Sequence, residues 1–131
     1  REAQTGDTVK PEQILVAPGG RHMKVTYDGT VVLDDGPLVC GVRPSVDVTI
    51  DSAVAVYGST TLGVVLTGMG QDGKRGASLI KGAGGKVAVE AESTCAVYGM
   101  PKSVADAGYA DAVVPLPKMA QEIIRMCQSA K

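Results

Sequence analysis

The 131-residue sequence predicts an α/β fold: a doubly wound, mostly parallel sheet with an inserted β-hairpin, present as a partial domain. Three observations carry this. Strand-like apolar runs alternate with helical patterns along most of the chain. The run Gly63-Val64-Val65-Leu66-Thr67 is continuously apolar, the pattern of a strand buried on both faces. There is no Trp or Phe and there are 17 glycines, so the core is built from Val, Ile, Leu, Ala and Met, which suits close packing of helix on sheet.

The elements follow in order. Residues 13–17 read as a first strand, ended by Pro18-Gly19-Gly20. Residues 23–27 and 30–33 read as two short strands around Asp28-Gly29, a hairpin signal because both turn positions must tolerate positive φ. Gly36-Pro37 and Arg43-Pro44 keep residues 34–44 in a loop. Ser45 is the expected N-cap of a helix over 46–57, closed by Gly58. After the strand at 63–67 the chain turns through 68–73. It then enters a helix over 74–81, stopped by Gly82, Gly84 and Gly85. A strand at 86–90, a short helix at 101–107 and a strand at 112–114 follow. The last helix carries Leu116, Met119, Ala120, Ile123, Ile124 and Cys127 on one apolar stripe, with Pro117 in its first turn.

Composition excludes several functions. Net charge is −1, with no Lys/Arg cluster and few aromatic residues, which argues against a nucleic-acid surface. The longest apolar stretch is far too short for membrane insertion, and the opening Arg1-Glu2-Ala3-Gln4-Thr5-Gly6-Asp7 is unlike a signal peptide. Cys40, Cys95 and Cys127 are scattered and form no C-x-x-C. They read as reduced thiols of a cytoplasmic protein and as small, buried apolar residues. With His22 the only histidine, no metal site and no cofactor is expected.

Open α/β sheets bind ligands outside the carboxyl ends of their strands. Here that place is Leu66-Thr67-Gly68-Met69-Gly70-Gln71-Asp72-Gly73. Taken bare, Gly68-x-Gly70-x-x-Gly73 matches a dinucleotide fingerprint, with Glu90 where an acid would bind a ribose. Against a nucleotide-binding module stands Asp72, whose carboxylate would compete with a pyrophosphate for the positive end of the helix. The structural alternative for Asp72 is helix capping, which leaves its second oxygen available to orient an imidazole.

Four segments occur in an order and spacing that resemble the catalytic domain of CheB-type protein-glutamate methylesterases. They are Pro18-Gly19-Gly20-Arg21-His22-Met23, Arg43-Pro44-Ser45-Val46-Asp47, the 66–73 turn, and Tyr98-Gly99-Met100-Pro101. The closing Val114-Pro115-Leu116 fits as well. The resemblance implies a cytoplasmic hydrolase of chemotaxis signal transduction. Such enzymes remove methyl groups from glutamyl esters on methyl-accepting chemotaxis receptors, many also deamidate receptor glutamines, and a receiver domain usually precedes the catalytic domain. It further implies a Ser-His-Asp catalytic triad whose acid maps onto Asp72, and it places Met69 near the active site. Met69 receives an oxyanion or substrate-contact role, alongside the alternative of a side chain filling a gap beside the crevice. Gly68, Gly70 and Gly73 are assigned to turn geometry.

The family's serine turn and histidine segment have no counterpart in residues 1–131. Ser59 precedes a strand instead of following one, Ser78 lies inside a helical pattern, and His22 belongs to the Gly-Gly-Arg-His-Met segment, where a structural hydrogen-bonding role is expected. The chain therefore reads as the C-terminal portion of the domain, inactive alone and prone to self-association through an unpaired strand edge. A non-catalytic interaction domain built on the same fold is the remaining alternative.

Overall fold

The computed structural model describes residues 1–129. In chain order the elements are β1 (His22–Val25), β2 (Val31–Asp34), α1 (Val46–Tyr57), β3 (Leu62–Val65), α2 (Lys74–Gly82), β4 (Lys86–Glu90), α3 (Met100–Asp106), β5 (Ala112–Val114) and α4 (Leu116–Ser129). Strands β3, β4 and β5 pair in parallel in that order, with Val64 opposite Ala88 and Val89 opposite Val113. The alternation of strand and helix forces this pairing, because each helix returns the chain to the same end of the sheet.

Both faces of the sheet are covered. On one, Val65, Val87 and Val89 pack with Ala77 and Ile80 of α2 and Val104 of α3, and Ile50 and Val54 of α1 join from behind. On the other, Ala88 packs with Met119 and Met126 of α4, flanked by Leu62, Val64, Ala112 and Val114. Small strand residues allow this approach. A Cβ on Gly63 would lie 2.6 Å from Ile80 Cδ1, so glycine lets α2 rest directly on β3. The predicted doubly wound architecture is therefore present, in a three-stranded sheet.

Strands β1 and β2 form the inserted hairpin, with His22 opposite Asp34 and Val25 opposite Val31. At its turn only Gly29 takes positive φ (78°), whereas both turn positions were expected to. The Thr26 N–H donates to Thr30 O at 2.9 Å and the Gly29 N–H to Thr26 O at 2.9 Å, so one left-handed glycine closes a wider loop. The hairpin is tied to α1 by Thr49 Oγ1 donating to Met23 O and the Val25 N–H donating to Ser52 Oγ.

Three expectations are corrected. Residues 13–17 form no strand. Val16 makes a single parallel bridge with Glu2, and Ile14 and Val16 are 80% and 56% exposed. Their apolar faces meet no buried surface among the described residues, so pairing does not propagate. The stripe on α4 is also only partly buried. Met119 and Met126 face β4 and β5, whereas Leu116, Ala120, Ile124 and Cys127 are exposed. The stripe is wider than the surface that the described strands offer. Finally, the thiols are not core residues. Cys40 and Cys127 are exposed and Cys95 is half-buried, while burial pushes the Cys40 and Cys95 thiols above their ordinary pKa.

Candidate active site

The loop after β3 is fixed from two sides. Its Thr67 N–H donates to Glu90 Oε1 at 2.8 Å, and Glu90, fully buried at the end of β4, also accepts from Thr94 Oγ1. From the other side, Gly68 bridges Tyr98, and Gly68 O accepts from the N–H groups of Gly99 and Met100 at 3.0 and 2.8 Å. A Cβ on Gly99 would come within 2.8 Å of Gly68 O, and one on Gly68 would meet Met100 Sδ at 2.5 Å. The Tyr98-Gly99-Met100-Pro101 segment is thus a buttress, and its glycine is required by close backbone approach. Gly70 and Gly73 take φ of 94° and 102°, the left-handed region a tight turn needs.

This turn delivers Asp72 to the start of α1. Asp72 is 8% exposed. Its Oδ1 accepts from Ser45 Oγ at 2.6 Å and the Asp47 N–H at 3.1 Å, and its Oδ2 from the Val46 N–H at 2.8 Å. The free N–H groups of the first turn of α1 are therefore capped by a residue 26 positions away. Ser45 holds the N-cap position with extended backbone, as expected, but its side chain makes no cap bond and donates to Asp72 instead.

The arrangement is reciprocal. Asp47, in the first turn of α1 and 2% exposed, accepts the N–H groups of Gly73 and Gly76 with one oxygen, at 3.0 and 2.7 Å. It thereby caps α2. Burial pushes the Asp47 carboxyl above its ordinary pKa, and the charge of Asp72 adds to this. No cation pairs with either carboxylate among the described residues. Backbone dipoles at two helix N-termini hold both.

His22, 2% exposed, supports the same corner. Its Nδ1 accepts the Ser45 N–H at 3.1 Å, so Nε2 carries the proton and donates to Pro37 O at 2.8 Å. Ser45, His22 and Asp72 thus lie together without forming a triad. The serine donates to the aspartate, the histidine meets the serine through its backbone N–H and not its hydroxyl, and all three are buried. His22 has the structural hydrogen-bonding role expected of it.

One side of this corner is open. A cleft of about 280 Å³ is lined by Asp72 with Ala17, Met23, Pro44, Ser45, Val46 and Thr49. An ionised carboxylate has roughly four acceptor positions, and Oδ2 receives a single protein bond, so acceptor capacity remains. Met69, at the tip of the loop, is 83% exposed, and its N–H meets no acceptor among the described residues.

The donors of the turn do not suit a dinucleotide. The amides at the start of α2 are engaged by Asp47, and Glu90 is buried against Thr67 and Thr94. Cys40, Asp47 and Asp72 place potential metal-ligand atoms within 4.8 Å of one another. The carboxylate oxygens there already accept N–H, O–H and S–H groups, which suits retained protein donors better than a cation.

Comparison with known proteins places the chain in a family. The family model described as CheB methylesterase matches residues 1–123. The chain belongs to the CheB methylesterase family. It is 50% identical over 125 residues to a protein-glutamate methylesterase/protein-glutamine glutaminase of Symbiobacterium thermophilum, covering 95% of this chain and 34% of that protein. It is 45% identical to the protein of the same name from Archaeoglobus fulgidus, covering 98% of this chain and 38% of that one. The crystal structure of the Thermotoga maritima CheB methylesterase catalytic domain superposes with a TM-score of 0.91 at 44% identity, covering 95% of this chain and 68% of that domain. The chain thus spans little more than a third of the length of these curated relatives.

Sequence reasoning singled out Asp72, Met69 and the three glycines, and the structure gathers them in one loop. It did not assign Asp47, Ser45 or Glu90 to the site. Asp47 was visible only as part of a family-like segment, Ser45 there and as a helix N-cap, and Glu90 only as a ribose ligand. Their partners lie 23 to 29 residues away, beyond any local pattern.

Proposed function

We propose that this chain is the C-terminal portion of a protein-glutamate methylesterase catalytic domain and supplies the acid, Asp72, of a Ser-His-Asp triad. The observation that carries the reading is the partly satisfied Asp72 carboxylate beside an open cleft. The names of its relatives point to glutamyl methyl esters as substrates, with deamidation of glutamine as a second activity. The implied partners are chemotaxis receptors and a receiver domain in the full-length protein, in the cytoplasm. That no described helix is long and apolar enough to cross a membrane is compatible with this.

In the complete enzyme a serine hydroxyl from the preceding segment attacks the ester carbonyl and a histidine takes its proton. Asp72 accepts the other ring N–H of that imidazole, fixing its tautomer and stabilising the imidazolium as it forms. Collapse of the tetrahedral intermediate expels methanol, protonated by the imidazolium. Water then repeats the sequence on the acyl-enzyme and frees the glutamate. The unpaired Met69 N–H, at a strand-to-helix turn, is suited to the oxyanion, with the exposed Met69 side chain contacting substrate.

The test is methanol release from methylated receptor by the full-length protein and by the 131-residue chain. The full-length protein is expected to turn over and the chain alone to release none. Turnover by the chain alone, or none by the full-length protein, would overturn the reading. The unpaired edge of β3, which bonds only to β4 among the named strands, supports the further expectation that the isolated chain self-associates.

A further inference from the structure

Asp72 reaches the cleft only if the loop that bears it is anchored where α2 begins. Asp72 itself supplies half of that anchoring, by holding the first turn of α1 through Ser45, Val46 and Asp47. The other half runs the opposite way. Asp47 Oδ1 holds the N–H of Gly73, the residue next to Asp72, and the N–H of Gly76 one turn into α2. The two aspartates therefore close a ring of hydrogen bonds between two helix N-termini, and neither can shift without moving the other.

The fit around Asp47 is tight. A Cβ on Gly76 would sit 3.1 Å from Asp47 Oδ1 and 2.7 Å from Ile50 Cδ1, so α1 and α2 touch at this point. Gly73, at φ 102°, places its amide toward Asp47 in a conformation that other residues rarely adopt. The second oxygen of Asp47 receives only the weak Cys40 Sγ–H, at 4.0 Å. Asp47 thus holds the loop through Oδ1 alone.

We infer that Asp47 is a positioning residue for the methylesterase reaction, acting through Asp72 by clamping the far end of its loop. This rests on the reading of Asp72 as the triad acid. Asp47 touches no reacting atom; it sets where the Asp72 carboxylate meets the imidazole.

Two substitutions in the full-length protein separate reach from charge. Asp47→Asn keeps the length and one acceptor oxygen but removes the charge. Asp47→Glu keeps the charge but extends the side chain by one methylene, displacing the loop. Misplacing a catalytic group by about 1 Å costs up to roughly 100-fold. Asp47→Glu is therefore expected to lower kcat by about 10- to 100-fold with KM changed less than about threefold, and Asp47→Asn to retain most of the wild-type kcat. Turnover is measured per folded molecule, with thermal unfolding followed in parallel. Equal kcat in both variants, or Asp47→Glu more active than Asp47→Asn, would overturn the inference. An Asp72→Asn control separates the two levels of the argument. If it stays active, the triad reading fails. If it is inactive while Asp47→Glu matches wild type, only the role of Asp47 fails.

Discussion

The two ends of the sheet hold their acids in opposite ways, partly exposed at one and buried at the other. At the amino end, Asp111 accepts the Val87 N–H at 2.8 Å and pairs with Lys81 Nζ at 2.6 Å. Burial pushes its carboxyl up, but the Lys81 ammonium and the Val87 amide outweigh this and hold its pKa below the ordinary value. At the carboxyl end, Asp72, Asp47 and Glu90 are buried with N–H and hydroxyl donors and pair with no cation among the described residues. An anion neutralised by a lysine has little left to offer a newcomer. One held by dipoles keeps its charge available to a proton-bearing group that docks beside it. Both ends thus stabilise the fold, the amino end through a lysine and the carboxyl end through backbone and hydroxyl donors.

The largest test of this contrast is activity. In the full-length protein, Asp72→Asn is expected to lower kcat by on the order of 10³–10⁴, the effect of a wrong imidazole tautomer. A loss below about tenfold would reduce Asp72 to a helix cap, whose loss costs only stability. The next is stability of the chain itself. Asp72→Ala leaves the Ser45 hydroxyl and the Val46 and Asp47 amides without an acceptor and is expected to cost about 2–3 kcal/mol in denaturant unfolding. An unchanged midpoint would contradict the capping role.

The contrast also has a pH signature of opposite sign at the two ends. Asp47 faces Asp72, the Cys40 thiol and, more distantly, Arg75, and its folded pKa is raised above the ordinary 3.8. Its contribution to stability is fully present below that value and is lost as pH rises through the raised folded pKa. Asp111, with a lowered folded pKa, contributes above 3.8 and loses its contribution as pH falls through its own. Unfolding of Asp47→Asn and Asp111→Asn across pH 3 to 7 is expected to gain relative to wild type at the upper end for the first and to lose there for the second. The same direction in both would break the comparison. Smallest is Lys81→Met, expected to cost less than about 1 kcal/mol because the pair is partly exposed.

Much of this was legible in the sequence where local and tertiary signals agree. The bounds of β4, β5 and α1 match the expected ones, because glycine, proline and serine punctuate them, and in β4 the apolar run between is buried as well. Residues 13–17 and the outer half of the α4 stripe misled because an apolar pattern records what a segment is able to bury, not what covers it. The cysteines failed for the same reason, since an apolar spacing put Cys127 on a face that stays exposed. At the site, the 66–73 turn announced itself through glycines that its φ values require. The cross-capping by Asp47 and Asp72 did not, because each aspartate serves the other's helix and no spacing rule joins residues 26 and 29 positions apart.

The central claim is that the unfilled acceptor position of Asp72 receives an imidazole N–H. A crystal structure of the full-length protein tests it most directly. The account predicts a histidine ring nitrogen within about 3 Å of Asp72 Oδ2, in the cleft beside Ser45 and Val46, with a serine hydroxyl at the far side of the ring. A cleft closed by apolar side chains, with Asp72 bonded only to Ser45, Val46 and Asp47, would contradict it.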